Sequence, residues 1–274
     1  MPSQPGAPSP WTDLDRPPLS VERLRRALVG PGGWHRLEVV PVTGSTNADV
    51  AAAARAGEAA GLVVVAEAQE TGRGRLDRRW EAPPRSSVLL SALLRPTAPS
   101  ASWTLLPFVV GVAAVEALRA VSDLDATLKW PNDLMHADRK LGGILVEVVD
   151  GAAVVGIGVN VSMRADELPV ETATSVAVAG GTTDREVLTK ELLRALRRRY
   201  ESWNDADGAA GAILPAYREV CGTIGRDVRV DLPTGAAFAG RAEHIDDSGR
   251  LIVTGGGERR EFSAGDVVHV RPKD

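Results

Sequence analysis

The order of apolar and polar positions splits the chain into a long part of mixed helices and strands and a short part of strands alone. Ser20 precedes a helical stretch, residues 21–29, that stops at Gly30-Pro31-Gly32-Gly33. Residues 37–40 read as a first strand. Gly44-Ser45-Thr46-Asn47 then leads into an alanine-rich helix at 48–56, ended by Gly57. Residues 62–66 form a short apolar, β-branched strand, and 87–94 another. The stretch 105–120 is apolar on most sides, which predicts a central helix. Leu128-Lys129-Trp130 ends a strand, and Pro131-Asn132-Asp133 turns the chain. Residues 140–149 and 153–161 read as paired strands joined at Asp150-Gly151, a hairpin signal. A long amphipathic helix is expected over 185–203 and a second helix over 211–220.

From Thr223 the texture changes. Residues 228–230, 237–244, 251–254, 260–262 and 267–270 are short strands between Gly and Asp turns. That spacing predicts a small β-barrel of about fifty residues. The expected division is a flexible Pro- and Ser-rich tail at 1–19, a main domain at 20–222 and the barrel at 223–274.

Composition narrows the class. With 44% apolar and 25% charged residues in 274, the chain can bury a sizeable core without a disulfide or metal staple. Cys221 is the single cysteine, so no intramolecular disulfide forms. His35, His136, His244 and His269 are scattered and predict no metal site. The net charge of −4 argues against a general nucleic-acid binder. The start of the chain has no signal-peptide core. The most apolar stretch, 103–121, carries Pro107, Glu116 and Arg119, as a buried helix does and a membrane span rarely does. A cytoplasmic protein without membrane partners is expected.

Against this acidic background, residues 72–80 stand out: Gly72-Arg73-Gly74-Arg75-Leu76-Asp77-Arg78-Arg79-Trp80. Arginine offers its donors as a planar fork that fits carboxylate and phosphate oxygens. The two glycines let the backbone approach a ligand and move. Such a segment is suited to close over an anion. By contrast, Arg197-Arg198-Arg199 lies on the predicted amphipathic helix and reads as a solvated face.

Three further blocks follow: Lys129-Trp130-Pro131-Asn132-Asp133-Leu134, Lys140-Leu141-Gly142-Gly143-Ile144-Leu145-Val146-Glu147, and Gly156-Ile157-Gly158-Val159-Asn160-Val161. Together with G-R-G-R-x-x-R-x-W, in this order, they resemble the motifs of biotin protein ligases. The resemblance implies an α+β fold, with a central mixed or antiparallel sheet and flanking helices of the class II aminoacyl-tRNA synthetase type, plus a C-terminal SH3-like barrel. It implies an enzyme that uses ATP to activate biotin as biotinyl-5′-AMP and joins it to a lysine of a biotin carboxyl carrier protein. Magnesium is expected with the ATP.

The same resemblance assigns roles. Ser45, Thr46, Asn47 and Gln69 would bind the ureido ring, with a backbone N–H from Arg73 and support from Gly74. Trp80, Leu134, Gly156 and Gly158 would wall the rest of biotin. Lys129 and Arg75 would be catalytic, with Lys129 between the biotin carboxylate and the α-phosphate. Arg75, Arg78, Asn132, Lys140, Gly142 and Asn160 would hold the nucleotide, Asn160 by reading the adenine edge. Plainer readings exist for several of these residues. Lys129 could be a surface lysine, Ser45 a helix cap, and Asn160 a turn residue. Trp130 reads better as packing than as a ligand contact.

Two other functions compete. A lipoate–protein ligase would share the fold but lacks the arginine segment. A biotin-sensing DNA-binding regulator would need an N-terminal domain of about sixty residues. Only 36 residues precede the first predicted strand, so the monofunctional class without DNA binding is expected.

Overall fold

The computed structural model describes residues 16–75, 78–232, 236–263 and 266–269. Most of the expected tail, Leu76 and Asp77 of the arginine segment, and the last residues of the barrel lie outside the described residues.

Seven strands form the main sheet: β1 (Arg36–Val40), β2 (Leu62–Ala66), β5 (Ser87–Leu94), β6 (Thr127–Lys129), β7 (Asp133–His136), β8 (Arg139–Val149) and β9 (Ala152–Asn160). Their order is β1-β2-β5-β9-β8-β7-β6. Only β1 and β2 run parallel, so the sheet is mixed as expected. Two-residue strands β3 (Gly72–Arg73) and β4 (Arg79–Trp80) pair as a ribbon that holds the arginine segment.

One face of the sheet is covered by α3 (Leu106–Ser122), which packs in turn on α4 (Arg185–Asp205). Apolar residues surround α3 because it is sandwiched. A Cβ on its Gly111 would stand 2.9 Å from Leu128 Cδ1, so helix and sheet are in direct contact. The helical stretch Ser100–Ser122 is the one described segment long and apolar enough to cross a membrane, and it is mostly buried in this core. The other face is covered at one end by α2 (Thr46–Arg55), whose Val50, Ala51 and Ala54 pack on Leu62, Val64, Leu93 and Val154. Beyond α2 that face lies open.

Ser20 caps α1 (Val21–Leu28), its hydroxyl accepting from Arg23 N. Ahead of it, Leu19 N donates to Glu67, which also pairs with buried Arg185 at 2.8 Å. Two elements differ from expectation. β7 reads from sequence only as a turn. The β7–β8 connection is Ala137-Asp138 with both φ positive (45° and 61°), and this pair lacks the Asn-Gly signature of such turns. The helix expected over 211–220 shrinks to α5 (Leu214–Val220), because Pro215 belongs in a first turn and the preceding residues form a 3₁₀ turn.

The C-terminal strands β10 (Asp227–Asp231), β11 (Ala237–Ile245), β12 (Leu251–Gly255), β13 (Glu258–Phe262) and β14 (Asp266–His269) form an antiparallel sheet, ordered β13-β12-β11-β10-β14. Its Val228, Val230, Ala242 and Val253 join the same continuous core as α3. The β11–β12 turn is wedged against the main body. A Cβ on its Gly249 would stand 2.5 Å from Phe108, and the Gly249 carbonyl accepts from Trp130 Nε1 at 3.0 Å.

Candidate functional site

On the open face beyond α2 lies a cavity of about 1030 Å³. Strand alternation sets its floor. Gly143 pairs with Gly158, and Leu145 with Gly156, so β8 and β9 place three glycines on one patch. With no side chains there, the sheet face sinks into a basin. A Cβ on Gly156 would stand 2.1 Å from Asn47 Oδ1, and one on Gly158 2.8 Å from the Trp80 indole. Asn47 and Trp80 therefore lie flat on the floor in space that only glycine leaves.

At one end the wall is polar and buried. Ser45, Thr46 and Asn47 stand at the start of α2, and all are under 5% exposed. The plainer reading of Ser45 as a helix cap does not hold. Ser45 makes no side-chain cap bond, whereas Gln69 Oε1 accepts from Thr46 N at 2.8 Å and Thr46 Oγ1 at 3.0 Å. The Ser45 hydroxyl is thus spared from capping. Ser91 Oγ lies 2.6 Å from Asn47 Oδ1 and 2.8 Å from Thr46 Oγ1. Asn47 Nδ2 donates to Glu147 at 2.8 Å.

At the other end the wall is cationic. Asp133 pairs with Lys140 at 2.6 Å and Lys129 at 3.0 Å. Burial pushes the Asp133 pKa up, but the two ammonium groups outweigh it and hold the carboxyl below its ordinary range. Lys140 leans over the floor: a Cβ on Gly143 would stand 3.7 Å from its Nζ. Arg75 Nη1 donates to Asn132 Oδ1 at 2.8 Å, and Asn132 Nδ2 donates to the Ile144 carbonyl. Arg75 is thereby docked on the turn that carries Asp133. Asn160 closes the wall, its Nδ2 donating to the Thr174 carbonyl at 3.0 Å.

A basin with hydrogen-bonding groups at one end and fixed cations at the other suits a ligand with a neutral polar head and an anionic tail. Comparison with known proteins gives the same direction. A model described as the biotin/lipoate A/B protein ligase family matches residues 39–163, and one described as the biotin protein ligase C-terminal domain matches 223–270. The chain is 41% identical over 268 residues to a biotin–[acetyl-CoA-carboxylase] ligase of Mycobacterium tuberculosis, covering 95% of this chain and 100% of that protein. This chain belongs to the biotin protein ligase family. It is also 33% identical to the bifunctional ligase/repressor BirA of Escherichia coli, covering 84% of this chain and 72% of that protein. In fold it matches a biotin protein ligase from Aquifex aeolicus, solved in complex with biotin and ATP, at a TM-score of 0.75 and 24% identity, over 87% of this chain and 100% of that one.

The ligase brings together nearly all the residues singled out in its sequence. Ser45, Thr46, Asn47, Gln69, Arg73, Gly74, Arg75, Arg78, Trp80, Lys129, Asn132, Lys140, Gly156, Gly158 and Asn160 all line the cavity. Leu134 and Gly142 do not. On β7, Asp133 and Met135 face the cavity, so alternation turns Leu134 into the core, fully buried. A Cβ on Gly142 would meet the Gly158 carbonyl at 2.5 Å and Leu134 at 2.9 Å, so this glycine permits strand packing. Trp130 is buried, its indole N–H held by the β11–β12 turn, and it also lines the cavity.

Sequence reading gave no role to Ser91, Asp133, Glu147, Arg226 or His269. Ser91 sits in an apolar strand, where one hydroxyl carries no signal. Arg226, Val267, Val268 and His269 bring the C-terminal sheet to the cavity wall. His269 has its pKa lowered to about 4 by burial first, then by Arg226 and Lys129. It is neutral at pH 7 and lies 3.0 Å from Thr223 Oγ1, which accepts from Trp130 N.

Proposed function

We propose that this ligase activates biotin with ATP and transfers it to a lysine of a carboxylase carrier domain. The observation that carries the reading is a single cavity whose glycine floor runs from a buried Ser–Thr–Asn–Gln wall to a Lys–Asp–Lys cluster. The ureido ring meets Ser45, Asn47 and Gln69, whose hydroxyl and amides suit a cyclic urea. The ring system and tail lie along Gly156 and Gly158 beside Trp80. The carboxylate meets the cationic end. Lys129, set between the carboxylate and the α-phosphate, and Lys140 beside it both line this end and are held together by Asp133.

In the first step a biotin carboxylate oxygen attacks the α-phosphorus. The bond to the β-phosphate breaks and pyrophosphate leaves. Bringing two anions to about 4 Å costs roughly 4 kcal/mol at an effective dielectric near 20. Fixed cations offset this where charge builds in the transition state. Lys140, Lys129, Arg75 and Arg78 supply them, while Asn132 and Asn160 fit the nucleotide side. Among the described residues no group of three His, Cys, Asp or Glu side chains could cage a metal ion. The magnesium expected with ATP would be carried on the phosphates and water.

In the second step a carrier lysine amine attacks the acyl carbon and AMP leaves. A free lysine is neutral about once in a few thousand at pH 7, so the anhydride must be kept from water meanwhile. The arginine ribbon, docked on Asn132 by Arg75, fits that task. The relative's acetyl-CoA-carboxylase substrate supports a carboxylase carrier partner. A free buried Cys221 and dependence on ATP fit a cytoplasmic setting.

The test is ATP–pyrophosphate exchange with biotin and with lipoate side by side, followed by labelling of an apo carrier domain. Exchange and labelling with biotin alone are expected. Exchange driven by lipoate and not biotin would overturn the reading.

A further inference from the structure

Glu147 has no part in the chemistry above, yet both of its oxygens are engaged at the cavity rim. It lies on β8, two residues beyond Leu145 and on the same face. Its Oε2 accepts from Asn47 Nδ2 at 2.8 Å, and its Oε1 stands 3.3 Å from Arg73 Nη1. We infer that Glu147 is a positioning residue that sets which end of the Asn47 amide faces the ligand and ties that choice to the arginine ribbon.

The argument rests on donor and acceptor chemistry, and on the reading that Asn47 meets the ureido ring. A carboxylate accepts hydrogen bonds and cannot donate them, so Asn47 must turn its NH₂ toward Glu147. Its oxygen then points to Ser91 at 2.6 Å and lies over Gly156. The ring N–H groups of a cyclic urea need an acceptor, and Oδ1 in this orientation offers its second lone pair. With the amide reversed, an NH₂ group would confront those N–H donors. Ser91 alone does not choose, because a hydroxyl can donate to Oδ1 or accept from Nδ2. Glu147 is the group that decides. Because Arg73 shares the same carboxylate, displacing the ribbon removes a charge that helps hold Glu147 in place.

Biotin titration calorimetry on the full chain tests this, with Glu147→Ala, Glu147→Gln, Asn47→Ala and the double variant Asn47→Ala/Glu147→Ala. Glu147→Ala should weaken biotin about tenfold, the size of one charge-assisted hydrogen bond. Glu147→Gln, whose amide oxygen still accepts from Asn47, should recover most of that loss. In the Asn47→Ala background, removing Glu147 should add less than about twofold. A purely structural role would lower the melting temperature of both Glu147 variants without separating their affinities. Equal weakening by Ala and Gln, or effects of Glu147→Ala and Asn47→Ala that multiply, would overturn the inference. If wild type binds biotin and Asn47→Ala binds it equally well, the head-group placement is wrong and the inference falls with it. Failure of wild type to bind biotin would instead sink the proposed function.

Discussion

An alanine at position 156 should strip the ligase of most of its biotin affinity. The added Cβ would stand 2.1 Å from Asn47 Oδ1, 2.9 Å from its Cγ and 3.2 Å from its Nδ2. Asn47 must then retreat by roughly 1.5 Å to reach ordinary contact. It is buried, and both ends of its amide are held, by Ser91 at 2.6 Å and Glu147 at 2.8 Å. A shift of that size takes both bonds out of useful range. One neutral bond and one to a charged group are together worth about 2–4 kcal/mol. Stability should fall by up to that amount, a drop in Tm on the order of 5–10 °C. Biotin affinity should fall at least about tenfold, because a direct contact and the depth of the floor go together. Gly158→Ala is the comparison. Its Cβ meets the Trp80 ring at 2.8 Å, but that ring sits on the short ribbon, only half-buried, and can slide. Its Tm should move less. Thermal melts and calorimetry on both variants check the reasoning. A folded Gly156→Ala protein that binds biotin within twofold of wild type would refute it, as would a larger Tm loss from Gly158→Ala.

Lys140→Ala and Lys129→Ala should each slow biotin-dependent pyrophosphate exchange by about 10²–10³. A near-normal rate in either removes that lysine from the transition state. Arg75→Ala should free the ribbon from Asn132 and raise the biotinyl-AMP released per turnover, measured by chromatography of the reaction mixture. Unchanged release would count against water exclusion by the ribbon. Asp133 has a depressed folded-state pKa, so its stabilisation is complete above the ordinary carboxyl value near 3.9 and fades as pH falls through the lower folded value. The Tm gap between wild type and Asp133→Asn should therefore be flat above about pH 5 and close below about pH 4. A gap that stays constant into strong acid would show that charge on Asp133 does not matter.

Much of the fold was legible because local signals and tertiary demands agree. The Asp150-Gly151 hairpin, the helix capped by Ser20 and the largely apolar α3 each follow from a few residues. β7 was hidden because four residues, Asp133–His136, hold too little pattern, and their turn places an alanine, Ala137, at positive φ. The site was legible as a set of motifs and less so as a geometry. Motif blocks name the cavity residues but do not say which way each side chain points. Strand parity alone sends Leu134 into the core and Asp133 into the cavity. Ser45 could have been read as a plain helix cap, yet Gln69, three residues past the end of β2, accepts from the first helical N–H. No local rule foresees that.

The C-terminal sheet shows the sharpest gap between motif and structure. It holds no biotin motif. The structure ties it to the turn that carries Asn132 and Asp133. Thr223 Oγ1 accepts from Trp130 N, and the Gly249 carbonyl accepts from Trp130 Nε1. Gly249 is pressed against Phe108 of α3, so the turn has little room to shift. Three residues after Trp130, Asp133 gathers both lysines. Arg226, paired with Asp138, faces the same cavity beside neutral His269. A buried indole N–H and a buried amide N–H left without acceptors would cost about 1–3 kcal/mol each. The sheet is thus part of what holds Lys129, Asn132 and Asp133 in register. Trp130, which itself lines the cavity, is the link between them: its backbone N–H and its indole N–H are both held by the C-terminal part.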